Sequence, residues 1–443
     1  MKISNIISAF FLVLLIASCE GQLDIEPQQS ISDDSALATA ANVRNVLLGG
    51  YDFARNDLYG GRLNVYVDLL GNTDQTDWNG TFANLRDLFF KEMVVDNASA
   101  LNLYSDAYII IGIANTVLEN LDKFDDATER ETVEGEALFL RGLIYFDMAR
   151  FFGPQYEAGG GNTADAVPIV LDAPDAERKL PRSSVTEVYA QALADLNSAY
   201  QKLPADNGVF ADRYAAQAVL ARVHLQMGNY ASARDAANDV ITNSGHSLEA
   251  AYADIFDTDG TSDESLMSFI INVQEGNNFG VTHYASQPLG GRGGDILITQ
   301  AYLDRFTSAN DVRATFNYDN GGLRLTSKYT RQFANVSLVR LGEMYLVRAE
   351  ANLREGTNTG ATPLEDVNAI RARANADALV AVTIDDILLE RELELAFEGV
   401  VLHDYRRTQR SIGGLPYNDN NLLMPIPQSA RDRNELLTQN PGY

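Results

Sequence analysis

One cysteine, one tryptophan and four histidines are all that 443 residues supply of those types, and basic side chains are outnumbered, 34 Lys and Arg against 61 Asp and Glu. Each shortage closes off a class of chemistry. A lone thiol, Cys19, cannot form an internal disulfide, so core packing must hold the fold even where the compartment permits cross-links. His224, His246, His283 and His403 are too scattered along the chain to suggest a metal cluster. A formal net charge of -27 repels phosphate backbones and anionic headgroups, which disfavours nucleic-acid binding and adsorption to an acidic leaflet. Gly-x-Ser-x-Gly, a phosphate loop and a Cys/His dyad are all missing. After the first apolar run, none long enough for a second membrane anchor is expected.

That first run is informative. Lys2, an apolar stretch from Ile6 to Ile16 and then Ala17-Ser18-Cys19 predict a secretory signal peptide over residues 1–18, too short to span a bilayer as a mature helix. Ile16-Ala17-Ser18-Cys19 resembles the lipobox of bacterial lipoproteins, in which the thiol is diacylated and becomes the mature N-terminus. Cys19 is the expected lipidation site, and residues 19–34, polar and without helical period, read as the lipidated tether. The bland alternative is an ordinary secreted protein with a chance cysteine.

Helices dominate the remainder. Periodicity predicts them over residues 36–56, 97–122, 129–152, 184–202, 211–227, 230–243, 335–355, 363–376 and 383–408. In the last, Leu389, Leu393, Ala396, Phe397 and Val400 fall on one stripe expected to be buried, and Thr383 with Asp386 resembles a capping box. Around Gly228-Asn229-Tyr230, small residues Ala218, Ala221, Ala233 and Ala237 stand where two helices must approach closely, as in a tetratricopeptide unit. Tyr345 to Gly356 with Leu364 to Ile370 repeats the design, and Glu134 to Arg150 reads as half of a third. The expected fold is mainly α: a tetratricopeptide-like scaffold of helical pairs with long irregular insertions and a few short strands. The insertions are residues 57–96 and 244–334, the second holding a strand over 266–273, and such segments on a rigid scaffold are where binding usually resides.

The C-terminal half carries a recognisable pattern. Met424-Pro425-Ile426-Pro427-Gln428-Ser429 and Leu437-Thr438-Gln439-Asn440-Pro441-Gly442-Tyr443 stand last; Glu390 to Gly399, His403-Asp404-Tyr405-Arg406-Arg407 and Leu341 to Ala351 precede them. With Arg141-Gly142-Leu143-Ile144-Tyr145-Phe146 through Phe151-Phe152-Gly153-Pro154, and Cys19 with Leu23-Asp24 and Pro27, the chain is similar over nearly its whole length to the SusD/RagB family of outer-membrane lipoproteins. Val400-Val401-Leu402 departs from the basic residues and Trp common in relatives. The resemblance implies a surface-exposed, outer-membrane-anchored protein with residues 35–250 and 251–443 packed as one unit. It also implies non-catalytic capture of oligosaccharides, delivery to a SusC-type TonB-dependent transporter, and glycosidases as separate proteins. Some relatives take peptides, so peptide capture is the rival within the family.

Trp78 sits among Asn72, Asp74, Asp77, Asn79 and Gly80. An indole stacks on the C–H face of a sugar while Asp77 and Asn79 meet its hydroxyls; the competing reading puts Trp78 in the core. In the second insertion His283, Tyr284, Gln287 and Arg292 are expected to form the opposite wall, with Arg292 taking an acidic sugar or pairing with Asp295. Asp257, Asp259, Asp263 and Glu264 around Gly260 faintly resemble a calcium loop, but the full pattern is absent and an acidic turn is the better reading, so no cofactor is expected. Glu390, Glu394 and Glu398 fall four apart; a surface glycoside hydrolase would use such a carboxylate pair, while a solvated face or partners such as Arg391 and Arg348 explain them more simply. A docking adaptor built on helical pairs is a third class. Phe139, Tyr145, Phe146, Phe151 and Phe152 belong to the core.

Overall fold

The computed structural model describes residues 37–443 except 176, 258–259 and 275–277. The expectations for the signal peptide, Cys19 and the tether lie outside these residues, as does Asp259.

Local rules place most of the helices. Thr39 caps α1 (Ala40–Phe53), which runs into a π-helical turn, Ala54–Tyr59, and stops at Gly60-Gly61. α2 (Arg62–Leu70), β1 (Thr76–Trp78) and α3 (Ala83–Phe90) follow. Asn97 and Asp126 cap α4 (Ala98–Glu119) and α5 (Ala127–Phe152); Ser184 and Glu187 form a capping box on α6 (Val185–Lys202). Asp212 caps α7 (Arg213–Met227), and Gly228, at φ 74°, turns the chain into α8 (Tyr230–Asn243). Next come β2 (Ser265–Phe269), α9 (Phe279–Tyr284), β3 (Ile296–Ile298), α10 (Gln300–Leu303), β4 (Asn317–Asn320), β5 (Leu323–Thr326) and β6 (Val336–Arg340). The chain finishes with α11 (Leu341–Glu355), α12 (Pro363–Arg373), α13 (Ile384–Glu394), α14 (Val401–Arg407) and α15 (Gln428–Arg433).

Among the described residues the result is mainly α with three two-stranded antiparallel ribbons, β1–β3, β2–β6 and β4–β5. α5 with α6, α7 with α8 and α11 with α12 pack against each other as sequential pairs. At the α7–α8 contact Ala218, Ala221, Ala233 and Ala237 are buried, so small side chains there set the close approach. One large core runs from Val43 on α1 to Leu437 near the end, joining both halves of the chain, and it holds Phe139, Tyr145, Phe146, Phe151 and Phe152. α4 is apolar enough by composition to cross a membrane, contrary to the expectation that no such run recurs, but it packs against α1 and α5 as a core helix.

Four expectations need correction. Residues 57–96 hold α2, β1 and α3; α2 is only nine residues long and buries every residue from Leu63 to Leu70 except Asn64, so its pattern is too short to stand out among the surrounding polar residues. Residues 244–334 likewise carry α9, α10 and three strands beside the anticipated one, which spans 265–269. The helix expected at 335–355 begins as β6, whose Val336 and Val339 pair with β2, and turns helical only at Leu341. The helix expected at 383–408 breaks between α13 and α14. Phe397 and Gly399 adopt φ of 65° and 76° there, and a Cβ on Gly399 would lie 2.7 Å from the Cα of Asn64. Its Thr383–Asp386 capping box is present; Leu393 and Phe397 are buried, with Leu389, Ala396 and Val400 half-buried.

Candidate functional site

The two insertions meet through a strand pair. β1 and β3 run antiparallel with Thr76 opposite Ile298, Asp77 opposite Leu297 and Trp78 opposite Ile296. Beyond the ladder the Asn79 N–H donates to the Asp295 carbonyl at 2.7 Å, its Nδ2 donates to the Gly294 carbonyl, and Arg292 Nη2 reaches Thr81 Oγ1 at 3.3 Å. Asn320, on β4, donates to the Gly293 carbonyl and brings the β4–β5 hairpin alongside.

Strand alternation sorts the side chains. Asp77 and Asn79 are exposed and Trp78 between them is half-buried, packed against the main core. A Cβ on Gly80 would lie 2.5 Å from Cζ2 of the indole, so the chain crosses the ring at a position where only glycine fits. The indole N–H is covered and meets no acceptor among the described residues. Trp78 is therefore packed against the core on one side and partly accessible on the other, between the two readings.

Gln287 and Arg292 are exposed on the opposite side, whereas the structure removes His283 and Tyr284 from the surface. Both are buried. His283 Nδ1 pairs with Asp295 Oδ2 at 2.8 Å, and Asp295 also accepts from Arg292 Nε at 3.2 Å, so the pairing anticipated for Arg292 is present. Tyr284 stacks on Tyr329 at 5.0 Å and donates to Asp68 Oδ2 at 3.0 Å. Burial pushes the Tyr284 phenol well above its ordinary range and raises the Asp68 carboxyl to about 7. These two positions hold the floor of the site, because their flanking segment forms α9 and turns inward.

Phe82, at the N-cap of α3 and 40% exposed, was not among the expected residues. The Arg292 guanidinium lies 4.4 Å over its ring and His283 meets it edge-on at 5.7 Å. Its signal was available: an aromatic at a helix start in a polar loop has no helical face to bury it.

The carboxylate row is interior, not solvated. Glu394 accepts from Arg313, Arg340 and Arg373; Glu390 meets Arg313 and Arg371; Glu398 meets Arg340 and Lys328. Glu264 and Asp311 complete the network through Arg340, Arg373 and Arg313. After burial is offset, the surrounding cations hold Glu394 and Glu398 below the usual carboxylate range, which leaves neither suited to act as a general acid. The expected partners serve elsewhere: Arg391 binds Asp404 and Arg348 binds Asp366. Glu264 thus faces inward and not toward a cation loop, Asp257 is engaged by Arg331 at the surface, and the described residues hold no group of three or more metal-ligating side chains.

The terminal motifs are structural too. Asp404 bridges Arg391 and Arg407, Arg407 binds Glu350, and Arg406 donates to the Arg150 and Gly153 carbonyls. Met424 and Asn440 donate to the Phe151 and Phe152 carbonyls, and Arg182 ties Asn440 to the same helix end.

Comparisons with known proteins agree with this architecture. A family described as starch-binding and associating with the outer membrane matches residues 23–225, and the SusD family matches residues 320–420. SusD-like protein P2 of Formosa agariphila is 24% identical, covering 99% of each chain. SusD-like protein P25 of the same organism is 27% identical over 58% of this chain, which spans 49% of that relative's length. The crystal structure of a SusD superfamily protein from Bacteroides thetaiotaomicron superposes with a TM-score of 0.83 at 26% identity, covering 91% of this chain and 100% of that one.

Proposed function

The chain belongs to the SusD family of carbohydrate-binding proteins, and on that footing we propose that it captures an oligosaccharide at the cell surface without breaking bonds. Anchored to the outer membrane through lipid on Cys19, it hands the ligand to a SusC-type TonB-dependent transporter.

The observation that supports the ligand-binding part is the β1–β3 pairing, which brings exposed Asp77 and Asn79 and half-buried Trp78 to the segment carrying Arg292, whose guanidinium lies over the exposed Phe82 ring. Gln287 is exposed on that same segment. Aromatic rings offer faces to sugar C–H groups, and the amides, carboxylate and guanidinium offer partners to hydroxyls. Asp295 and His283 position Arg292 and Phe82 from beneath. The full commitment of Glu390, Glu394 and Glu398 to basic partners supports binding over hydrolysis.

Isothermal titration against a glycan panel tests this. Phe82→Ala is expected to lower affinity for the glycan that binds at least tenfold, about 1.4 kcal/mol, with little change in melting temperature, because the ring is exposed. Trp78→Ala should lose affinity and some stability together. Unchanged glycan affinity in both variants defeats the assignment of this surface, and reducing ends released by the purified protein defeat the non-catalytic reading.

A further inference from the structure

Lys91 is 8% exposed, and its ammonium donates to two backbone carbonyls, Asn72 at 3.2 Å and Phe89 at 3.1 Å. Among the described residues no carboxylate pairs with it, and burial alone pushes its pKa down to about 8. The charged groups of the surrounding segments are committed elsewhere: Asp74 to Arg305, Asp87 to Arg86, Arg410 to Glu392, and Asp68, at the end of α2, to Tyr284 and Gly399. Its neighbour Glu92 is exposed. Taking a cation out of water without a counter-charge is costly, and for packing alone an apolar stem of the same length would serve.

Both carbonyls belong to segments that carry the ligand surface. Asn72 Oδ1 accepts from the Asp74 N–H at 3.2 Å and the Thr76 N–H at 3.0 Å, so this residue shapes the turn that launches β1, with Trp78 two positions beyond Thr76. Asp74 stands in that turn at φ 127°, a conformation that persists only where its surroundings hold it. Phe89 lies in the last turn of α3, whose N-cap is Phe82, and Lys91 itself ends the helix at φ 60°. One ammonium thus ties the approach to β1 to the C-terminal carbonyls of α3. Gly413, at φ 56°, closes over the pair: a Cβ there would lie 3.2 Å from the Asn72 carbonyl oxygen and 3.3 Å from Lys91 Nζ.

We propose that Lys91 is a positioning residue of the ligand surface, clamping the Asn72 turn against α3 and so fixing the spacing of Trp78 and Phe82. The inference rests on the reading of that surface as the glycan site and adds a regulation to it. Loss of the ammonium's proton turns two charge-assisted hydrogen bonds into weaker neutral ones, so the clamp slackens as pH rises.

Trp78 is the chain's one tryptophan, so its emission reports the clamp with no ligand present. In the unmutated full chain that emission is expected to change in one step near pH 8, and Lys91→Met, which keeps an apolar stem, should remove the step. Isothermal titration with maltoheptaose, a fragment of the starch that the matched family is described as binding, gives the second reading. Affinity should fall about threefold between about pH 7 and 9. Lys91→Met should bind about tenfold more weakly at every pH in that range. A lysine that serves the fold alone would lower the variant's melting temperature but leave both profiles of the unmutated chain flat, and that result overturns the clamp. So does an emission step that persists in Lys91→Met, since another group then titrates. Unchanged affinity in Lys91→Met beside a loss in Phe82→Ala also overturns it while leaving the glycan site standing. Where maltoheptaose binds no variant, the emission step decides by itself: its loss in Lys91→Met upholds the clamp whatever becomes of the glycan reading. The unmutated chain's profiles remain decisive where Lys91→Met folds poorly.

Discussion

Asp68 shows how one buried group can set a pH response. Its carboxylate accepts from Tyr284 and from the Gly399 N–H, yet burial outweighs both and raises it from 3.8 to about 7. A carboxyl raised by folding contributes stability that is fully present below its unfolded value and is lost as pH rises through the folded one. Between about pH 4 and 7 the protein should lose up to about 4 kcal/mol through this residue. Asp68→Asn should flatten that segment of a stability profile measured by urea unfolding; a profile identical to the unmutated chain's would show that Asp68 stays ionised. Glu394, Glu398 and Asp404, held low by basic partners, act in the opposite sense and lose their contribution only in acid. At this scale the sequence was a mixed guide to the site. Composition picked out Asp77, Asn79, Gln287 and Arg292, which are exposed, but not the burial of His283 and Tyr284, because exposure depends on where the segment packs and not on its polarity.

Among the elements, legibility followed local signals at the helix ends. α5 to α8, α11 and α12 could be read because small residues, caps and Gly228 agree with one another at each end. β6 and the α13–α14 break could not, since both are imposed by distant partners: β2 for the first, Asn64 and Asp68 for the second. The break makes a sharp prediction. Gly399→Ala must accommodate a Cβ 2.7 Å from a backbone atom and 2.8 Å from Asn64 Oδ1 at positive φ, and should cost about 2 kcal/mol or more by chemical denaturation. A neutral outcome would mean that the α13–α14 turn relaxes freely.

For the whole molecule, the decisive feature is how many charges lie inside. Arg313, Arg340, Lys328, Arg371 and Arg373 face Glu264, Asp311, Glu390, Glu394 and Glu398 across segments far apart in sequence. Breaking such a network from one side strands its partners. Arg340→Met leaves Glu264, Glu394 and Glu398 short of a donor and should destabilise the fold by about 3–5 kcal/mol, with glycan affinity of the folded fraction unchanged; calorimetry and titration on one sample separate the two. A loss below 1 kcal/mol would show that the remaining basic groups take over. The resemblance legible in the C-terminal sequence has the same origin, for the motifs around His403 to Arg407 hold ion pairs and helix ends and touch no part of the proposed ligand surface.

Residues made late in synthesis seal the end of α5. Met424 and Asn440 complete hydrogen bonds to Phe151 and Phe152, and Leu437 fills the core that begins at Val43. A chain still leaving the ribosome therefore lacks its keystone, and closure has to wait for this distal stretch to emerge. A copy terminated before Met424 would keep an open seam beside its 26-residue α5, exposed to any protease it meets.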